Sequence, residues 1–156
     1  HDLVFSLDPA LQTRLVAGAR TELQSAMSNL ISNALRYTPA GGRVEVGWKL
    51  HPPQGVEFWV EDNGPGIAPH HLSRLTERFY RVDRSRSRET GGTGLGLAIV
   101  KHVVQRHGGQ MHISSVPGQG SRFAFHLPLE RFVDSADLHA GFTAALSPAQ
   151  ERGHQD

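Results

Sequence analysis

The sequence predicts an α+β fold in which an antiparallel-rich sheet carries helices on one face. Three observations predict it. A long segment has apolar residues at helical spacing, two pairs of alternating segments are separated by short turns, and a second apolar helix follows a run of glycines. Helices that alternate with hairpins in this way favour a two-layer sandwich over a purely helical or purely β architecture.

The individual elements follow from local patterns. Alternation of apolar and polar residues predicts strands at residues 3–7, 14–17, 43–50, 56–61, 110–115 and 121–127, the last four of which form two hairpins. Apolar residues three or four apart predict helices over residues 21–38, 69–75 and 95–107. Pro39 and the glycines that follow it end the first of these helices.

Length, charge and composition limit the classes of function. The chain has 156 residues, a formal net charge of +1 and no cysteine. We expect one domain over residues 3–130 and a partly disordered tail over residues 131–156. The small net charge disfavours a general nucleic-acid binder, and no apolar run reaches membrane-spanning length. Because the chain opens at His1 rather than Met, we expect it to be a piece of a longer protein.

The first predicted helix carries a polar stripe beside its apolar face. Asn29, Asn33 and Arg36 share this stripe when residues advance by roughly 100° each. Asparagine is a poor helix-interior residue, so a pair at i and i+4 needs an explanation. One explanation is a Mg²⁺ site, because this cation prefers oxygen ligands and takes few of them from protein when phosphates supply others. The alternative is a pair of solvated or hydrogen-bonded asparagines.

Asp62 stands at the end of a predicted strand. It precedes Asn63-Gly64, which is a turn signal, so a plain turn is one interpretation. The other is a carboxylate that accepts a hydrogen bond from the exocyclic amine of adenine, where guanine carries an acceptor instead. A hydrogen bond to a charged group contributes about 1.5–3 kcal/mol. Gly64 and Gly66 would let a base lie against the backbone.

The glycine run at residues 91–97 leads directly into the helix predicted over residues 95–107. A helix that begins after such a loop directs free N–H groups and a partial positive charge towards an anion. We therefore predict a phosphate-bearing ligand at residues 92–96. The run is neither a P-loop nor a dinucleotide fingerprint, because no Lys-Ser or Lys-Thr follows it and no strand precedes it.

A basic segment, residues 81–90, precedes the glycine run and is expected to be a mobile loop. Its arginines suit phosphate oxygens, with Arg81 the best candidate and Arg86 a weaker one, although a solvated run is the alternative. We expect Phe79 and Tyr80 to anchor this loop in the apolar layer.

Taken together, these motifs resemble the ATP-binding catalytic domains of bacterial two-component sensor histidine kinases, and within that family the phosphate-regulon sensor kinases. Residues 29–39 resemble the family's N box, residues 62–66 its G1 box, residues 79–81 its F box and residues 92–97 its G2 box. The resemblance covers roughly residues 3–130. It implies the Bergerat fold, a mixed, mostly antiparallel sheet on about three helices, with ATP held between the helices and a flexible lid.

The resemblance also implies an activity and its residues. The chain would bind Mg-ATP and, as a protein-histidine kinase, transfer the γ-phosphoryl group to a histidine on a separate dimerisation domain, for relay to an aspartate of a response regulator. Asn33 would be the Mg²⁺ ligand and, with Arg36 and Arg81, catalytic. The implied nucleotide-binding residues are Asn29, Asn33, Arg36, Tyr37, Asp62, Gly64, Gly66, Ile67, Tyr80, Arg81, Gly92, Thr93, Gly94, Leu95, Gly96 and Leu97. The resemblance implies no nucleic-acid partner, and a cytoplasmic domain joined to an inner-membrane sensor through segments absent from this chain.

The sequence departs from the family at one point, since it lacks the acceptor motif, roughly His-Glu/Asp-Leu-Arg-Thr-Pro. His1-Asp2-Leu3 begins like that motif, but residues 4–6 do not continue it. We therefore expect no self-labelling. Three alternatives remain. They are an ATP-driven clamp, which has a glutamate where this chain has Asn29, an anti-sigma-type serine kinase, and a nucleotide-sensing module without transfer.

Overall fold

The computed structural model describes residues 1–12, 14–53, 55–82 and 94–134. Their helices and strands, in chain order, are β1 (Asp2–Leu7), β2 (Arg14–Val16), α1 (Arg20–Tyr37), β3 (Arg43–His51), β4 (Gly55–Asp62), α2 (Pro69–Leu72), α3 (Gly96–Arg106), β5 (Gln110–Val116), β6 (Gly120–Leu127) and β7 (Phe132–Asp134). Short 3₁₀ turns at Pro9–Leu11 and Leu129–Arg131 precede β2 and β7.

Five strands form one mixed sheet in the order β1-β3-β4-β6-β5. β1 pairs with β3 in parallel, whereas the other three pairings are antiparallel. The parallel pair requires a crossover between its strands, and α1 lies within that connection. β2 and β7 form a separate two-stranded antiparallel sheet, in which Arg14 pairs with Asp134.

The core lies between one face of the five-stranded sheet and the helices. Alternation along β4 directs Val56, Phe58 and Val60 to this face, and the antiparallel register sets Leu127, Phe125 and Phe123 of β6 opposite them. The helices cover the face with buried side chains at helical spacing, namely Leu23, Ala26, Leu30, Ala34, Val100, Val103 and Val104. The same register brings Asp62 beside Ser121 at the end of the strands.

The structure confirms the predicted α+β sandwich, with its mixed, mostly antiparallel sheet and helices on one face. The predicted short helix at residues 69–75 is wrong in length, because α2 ends at Leu72. Turns closed by hydrogen bonds between residues i and i+3 replace it there. The Arg74 N–H donates to the His71 carbonyl at 3.0 Å, and the Glu77 N–H donates to the Arg74 carbonyl at 2.9 Å. Among the described residues, no helix has the length and apolarity needed to span a membrane.

Candidate functional site

A cavity of about 480 Å³ opens between α1, the end of β4, the turns after α2 and the start of α3. Its volume falls in the range usual for small-molecule sites. The residues that line it are Asn29, Asn33, Arg36, Tyr37, Asp62, Pro65, Gly66, Ile67, Leu75, Tyr80, Arg81, Val82, Gly94, Gly96, Leu97, Ser121 and Phe123. Segments far apart in sequence therefore meet at one site, and most of the residues predicted from the four motifs belong to it.

One wall of the cavity is polar and comes from α1. Asn29 and Asn33 are half-buried there. The side-chain amide of Asn29 donates to the Ser25 carbonyl at 2.8 Å and to the Ser25 hydroxyl at 3.3 Å. Because these bonds use the nitrogen, they fix the amide plane and leave the Asn29 oxygen directed at Gly96. A methyl group added at Gly96 would lie 2.8 Å from that oxygen, so glycine permits the close approach of α3 to α1.

The mouth of the polar wall is solvent-exposed. Arg36 and Tyr37 lie one turn beyond Asn33, at the end of α1, and both are exposed. Both line the cavity, as does the half-buried Arg81. Two guanidinium groups and two asparagine amides therefore belong to the lining of one cavity.

A buried carboxylate also lines the cavity, close to the end of α1. Asp62 is 8% exposed, and one of its oxygens accepts a hydrogen bond from the Gly64 N–H at 2.9 Å. Burial raises the pKa of Asp62 above its usual value, although hydrogen bonds from the backbone of Gly64 and Ser121 act in the opposite direction. Gly64 therefore holds this carboxylate in place rather than lining the cavity itself.

Apolar side chains form a slot beside Asp62. Its lining consists of Pro65, Ile67, Leu75, Leu97 and Phe123, with the ring of Tyr80. The Ile67 N–H donates to the Ser115 hydroxyl at 2.7 Å, and this hydroxyl is 2.9 Å from that of Ser121. These bonds tie the loop after β4 to the β5–β6 hairpin, so the slot has a fixed floor.

The backbone closes the cavity at residues 79 and 94. The Phe79 N–H donates to the Gly94 carbonyl at 2.9 Å, and both residues have positive φ, 64° and 76°. The prediction that Phe79 anchors the loop in the apolar layer is wrong, because this side chain is 68% exposed. Its positive φ directs the ring outward. Tyr80 does pack against the core, as predicted.

Some predicted residues fall elsewhere. Gly92 and Thr93, and the arginines at 84, 86 and 88, lie outside the described residues. Leu95 precedes α3 without lining the cavity. Five lining residues were not predicted, and they are Pro65, Leu75, Val82, Ser121 and Phe123. Ser121 and Phe123 lie on a predicted strand, but the pairing of β4 with β6 that sets them opposite Asp62 and Val60 joins the two predicted hairpins and was not itself predicted.

The site combines three chemical features in one cleft. A buried acceptor lies beside apolar side chains, two carboxamide groups come from α1, and two guanidinium groups complete the lining. This set of groups suits a flat heterocycle with an amine that is joined to an anionic chain. Within the described ranges, no group of three or more His, Asp or Glu side chains is arranged to hold a metal ion.

Comparison with known proteins identifies the class. The family model for histidine kinase-, DNA gyrase B- and HSP90-like ATPases matches residues 18–131. The chain therefore belongs to this ATPase family.

Within that family, the chain is similar to sensor histidine kinases. It is 52% identical over 126 residues to the phosphate regulon sensor protein PhoR of Pseudomonas aeruginosa, covering 81% of this chain and 28% of that protein. It is 44% identical over 135 residues to PhoR of Haemophilus influenzae, covering 86% and 31%. The chain thus spans less than a third of these relatives.

Solved structures agree with this assignment. The mycobacterial sensor histidine kinase MprB superposes with a TM-score of 0.68 at 33% identity, covering 81% of this chain and 80% of that one. The catalytic domain of histidine kinase ThkA gives a TM-score of 0.66 at 26% identity, covering 81% and 78%. The resemblance to sensor kinase catalytic domains that the four motifs indicated is confirmed.

Proposed function

We propose that this chain is the catalytic domain of a two-component sensor kinase. It binds Mg-ATP and transfers the γ-phosphoryl group to a histidine on a separate dimerisation domain, for relay to an aspartate of a response regulator. One observation carries the proposal. The cavity joins a buried acceptor, Asp62, to an amide- and arginine-lined wall at Asn33, Arg36 and Arg81.

The part of the cavity around Asp62 accounts for adenine recognition in this proposal. The buried oxygens of Asp62 accept a hydrogen bond from the adenine amine, while the ring lies in the slot between Ile67 and Leu97. A guanine base presents a carbonyl oxygen at that position, so it brings an acceptor against a carboxylate. A buried acceptor that finds no donor is costly, by about 1–3 kcal/mol. The slot therefore favours adenine over guanine.

The α1 wall suits Mg²⁺ through the chemistry of its donors. Carboxamide oxygens are hard ligands without charge, so they add to the coordination shell of Mg²⁺ without repelling a triphosphate. Asn33 is the residue we assign to the metal, with the oxygen of Asn29 nearby, next to Gly96. When bound, the metal supplies neutralisation of phosphate charge.

The remaining groups position phosphates rather than activate a nucleophile. Arg36 and Arg81 both line the cavity and offer cationic forks to a phosphate chain. Asp62 is the single carboxylate in the described lining, and this proposal assigns it to the base. A site without a carboxylate on α1 suits transfer to an outside acceptor, because phosphoryl transfer depends mainly on positioning and charge stabilisation. It does not suit a water-activating clamp.

Partners and location belong to the same proposal. The relatives named phosphate regulon sensor proteins are more than three times longer than the matched segment, which leaves room for the dimerisation domain and sensing segments. We place this domain on the cytoplasmic side of an inner-membrane sensor, attached through segments outside this chain. Its partners would be that dimerisation domain and a response regulator.

The proposal is tested by calorimetry followed by transfer. We expect ATP and ADP to bind the chain with Mg²⁺, and GTP to bind at least tenfold more weakly, consistent with about 1.4 kcal/mol of selectivity. With γ-labelled ATP, the chain alone should remain unlabelled. Adding the histidine-bearing dimerisation domain of the same kinase should give a phosphohistidine, which is acid-labile and base-stable.

The other outcomes separate the alternatives. An acid-stable product on a serine would indicate a serine kinase, and binding without any labelled partner would indicate a nucleotide sensor. Rapid release of free phosphate would indicate a clamp. Absence of heat for every adenine nucleotide would overturn the proposed pocket altogether.

A further inference from the structure

Tyr80 is held from outside the cavity by two side chains that the proposed function does not use. The Nδ1 atom of His71, in α2, makes a hydrogen bond with the Tyr80 hydroxyl, and the two ring centres are 5.9 Å apart. The guanidinium carbon of Arg74 lies 4.4 Å from the centre of the Tyr80 ring. The hydroxyl and one ring face are therefore both occupied by the segment around α2.

This contact matters because of where Tyr80 stands. Tyr80 lines the cavity and packs against the core. Its neighbours in sequence are Phe79, which is exposed, and Arg81, which also lines the cavity. The Phe79 N–H is bonded to Gly94, so the backbone immediately before Tyr80 is fixed as well. Leu75, which closely follows Arg74, is 7% exposed and lines the same slot.

Arg74 is itself restrained. Its Nε atom is 3.2 Å from the Glu77 carboxylate, and the Tyr80 N–H donates to the Glu77 carbonyl at 3.2 Å. A cation over an aromatic face contributes modestly at an exposed site, about 0.5–1 kcal/mol. The His71 bond adds direction, because it fixes the position of the Tyr80 hydroxyl and so restricts the first side-chain torsion, while Arg74 on the ring face opposes rotation about the second.

We propose that His71 is a positioning residue for the nucleotide site, acting through the Tyr80 hydroxyl, with Arg74 holding the face of the same ring. The role rests on the proposed function, since the wall that His71 fixes is the wall of the proposed adenine slot. His71 makes no contact with the nucleotide in this assignment. By fixing Tyr80, His71 keeps the slot at the width of a flat base. Replacing His71 should therefore weaken nucleotide binding.

The first test is a double-mutant cycle on nucleotide affinity, measured by calorimetry with ADP and Mg²⁺. We expect His71→Ala and Tyr80→Phe each to weaken binding about three- to tenfold, the effect of one hydrogen bond. The double variant should be no weaker than either single one, because both changes remove the same bond. His71→Gln, which retains a hydrogen-bonding side chain, should recover part of the affinity, and His102→Ala on the exposed side of α3 is the matched control.

The second test detects the bond without nucleotide. The chain has only two tyrosines, Tyr37 and Tyr80, so ¹³C labelling of the tyrosine ζ carbons gives two NMR signals that Tyr37→Phe assigns. We expect His71→Ala to move the Tyr80 signal and His102→Ala to leave it in place. An unmoved signal, or additive losses of affinity in the cycle, would overturn the role of His71.

The two proposals fail in different ways. If the unaltered chain binds no adenine nucleotide, the proposed function fails and the positioning role of His71 fails with it, even where the NMR signal reports the bond. If the unaltered chain binds ADP and His71→Ala binds it equally well, only the positioning role fails.

Discussion

The backbone N–H of Phe79 donates to the carbonyl of Gly94 at 2.9 Å, which joins two residues that are 15 positions apart in sequence. Both residues have positive φ, an arrangement that non-glycine residues adopt at a cost of about 1–3 kcal/mol. The bond closes the cavity on the side where Tyr80, Arg81 and Gly96 contribute to its lining. The geometry of this contact therefore sets the position of Tyr80 and Arg81 relative to the start of α3 at Gly96.

Replacing Gly94 with alanine is expected to weaken nucleotide binding. A Cβ at this position would lie 2.9 Å from the Cα and carbonyl carbon of Phe79, so the backbone contact must open. We expect a loss of affinity of about tenfold and a fall in unfolding free energy of about 1–3 kcal/mol. Calorimetry with Mg-ADP and urea unfolding measure the two effects.

The matched control is Gly118→Ala. Gly118 has a similar φ, +80°, but a Cβ there would meet nothing within 4 Å. It carries the conformational cost without the clash, so it should lower stability by about 1 kcal/mol and leave nucleotide affinity unchanged. Equal affinity in the Gly94 and Gly118 variants would show that the contact at Phe79 does not shape the site.

Asp62→Asn should lower ATP affinity without lowering the free energy of unfolding. We expect a loss of ATP affinity of about ten- to a hundredfold, because the amide is a weaker acceptor than the carboxylate. We expect no loss in the free energy of unfolding. Burial raises the pKa of Asp62, so at neutral pH its ionised form costs the folded state free energy, and this cost disappears as pH falls through the raised pKa.

Nucleotide affinity should follow the opposite course with pH. Because the proposed bond needs the ionised carboxylate, ATP binding should weaken as pH falls through the raised pKa of Asp62, and Asp62→Asn should abolish that dependence. Glu45→Gln is the control, since Glu45 lies on the other face of the sheet, does not line the cavity and is not among the groups that shift the pKa of Asp62. An Asp62→Asn variant that binds ATP normally would contradict the assignment.

Asn33→Ala should remove the metal dependence of binding. If the Asn33 oxygen holds Mg²⁺, ATP affinity in the unaltered chain should fall sharply when the metal is chelated, and the variant should show little change between the two conditions. Ser32→Ala is a suitable control, because Ser32 is adjacent on α1, exposed and absent from the cavity lining. The measurement is ATP affinity with and without Mg²⁺. Retention of the full metal effect in Asn33→Ala would assign the cation to other groups.

Sequence patterns predict the parts of this molecule that depend on local periodicity. The stripe of Asn29 and Asn33 beside the α1 core and the place of Asp62 at the end of a strand follow from residue spacing alone. The outward turn of Phe79 was not predictable in this way, because it results from a positive φ that is fixed by the distant Gly94. Composition identifies Phe79 as apolar and so places it wrongly in the core.

Side-chain hydrogen bonds between elements that are distant in sequence could not be predicted from the sequence either. His107 is buried, with Nδ1 2.8 Å from the Val103 carbonyl and Nε2 accepting from the Ala19 N–H at 3.1 Å. It thus joins the end of α3 to the start of α1, across 88 residues of sequence. No spacing rule distinguishes such a histidine from the exposed His102 on the same helix, since the difference lies in what the fold brings opposite each ring.

Glu57 offers a test of the outer sheet face that leaves the nucleotide site untouched. It is 5% exposed although it points away from the helices, because Arg122, Lys49 and His51 cover it. Burial pushes the pKa of Glu57 up, but the hydrogen bond from Arg122 and the charges of Arg122, Lys49 and His51 outweigh burial, so its pKa is lowered overall. A lowered pKa means that Glu57 stabilises the fold above its unfolded pKa, and that this contribution is lost as pH falls through the folded value.

Glu57→Gln should therefore lower the unfolding free energy at pH 7 by about 1.5–3 kcal/mol, the usual contribution of a hydrogen bond to a charged group. The difference from the unaltered chain should shrink as pH falls below about 4.5, where the unfolded carboxyl begins to protonate.

Urea unfolding across this pH range measures the difference. Glu61→Gln is the exposed control and is expected to change stability by less than about 1 kcal/mol. A difference that stays constant down to low pH would show that the packing or hydrogen bonding of the amide, rather than the lost charge, accounts for the loss. Mg-ADP affinity at pH 7 should be the same in all three chains, because Glu57 lies behind the sheet and no residue of its cluster lines the cavity.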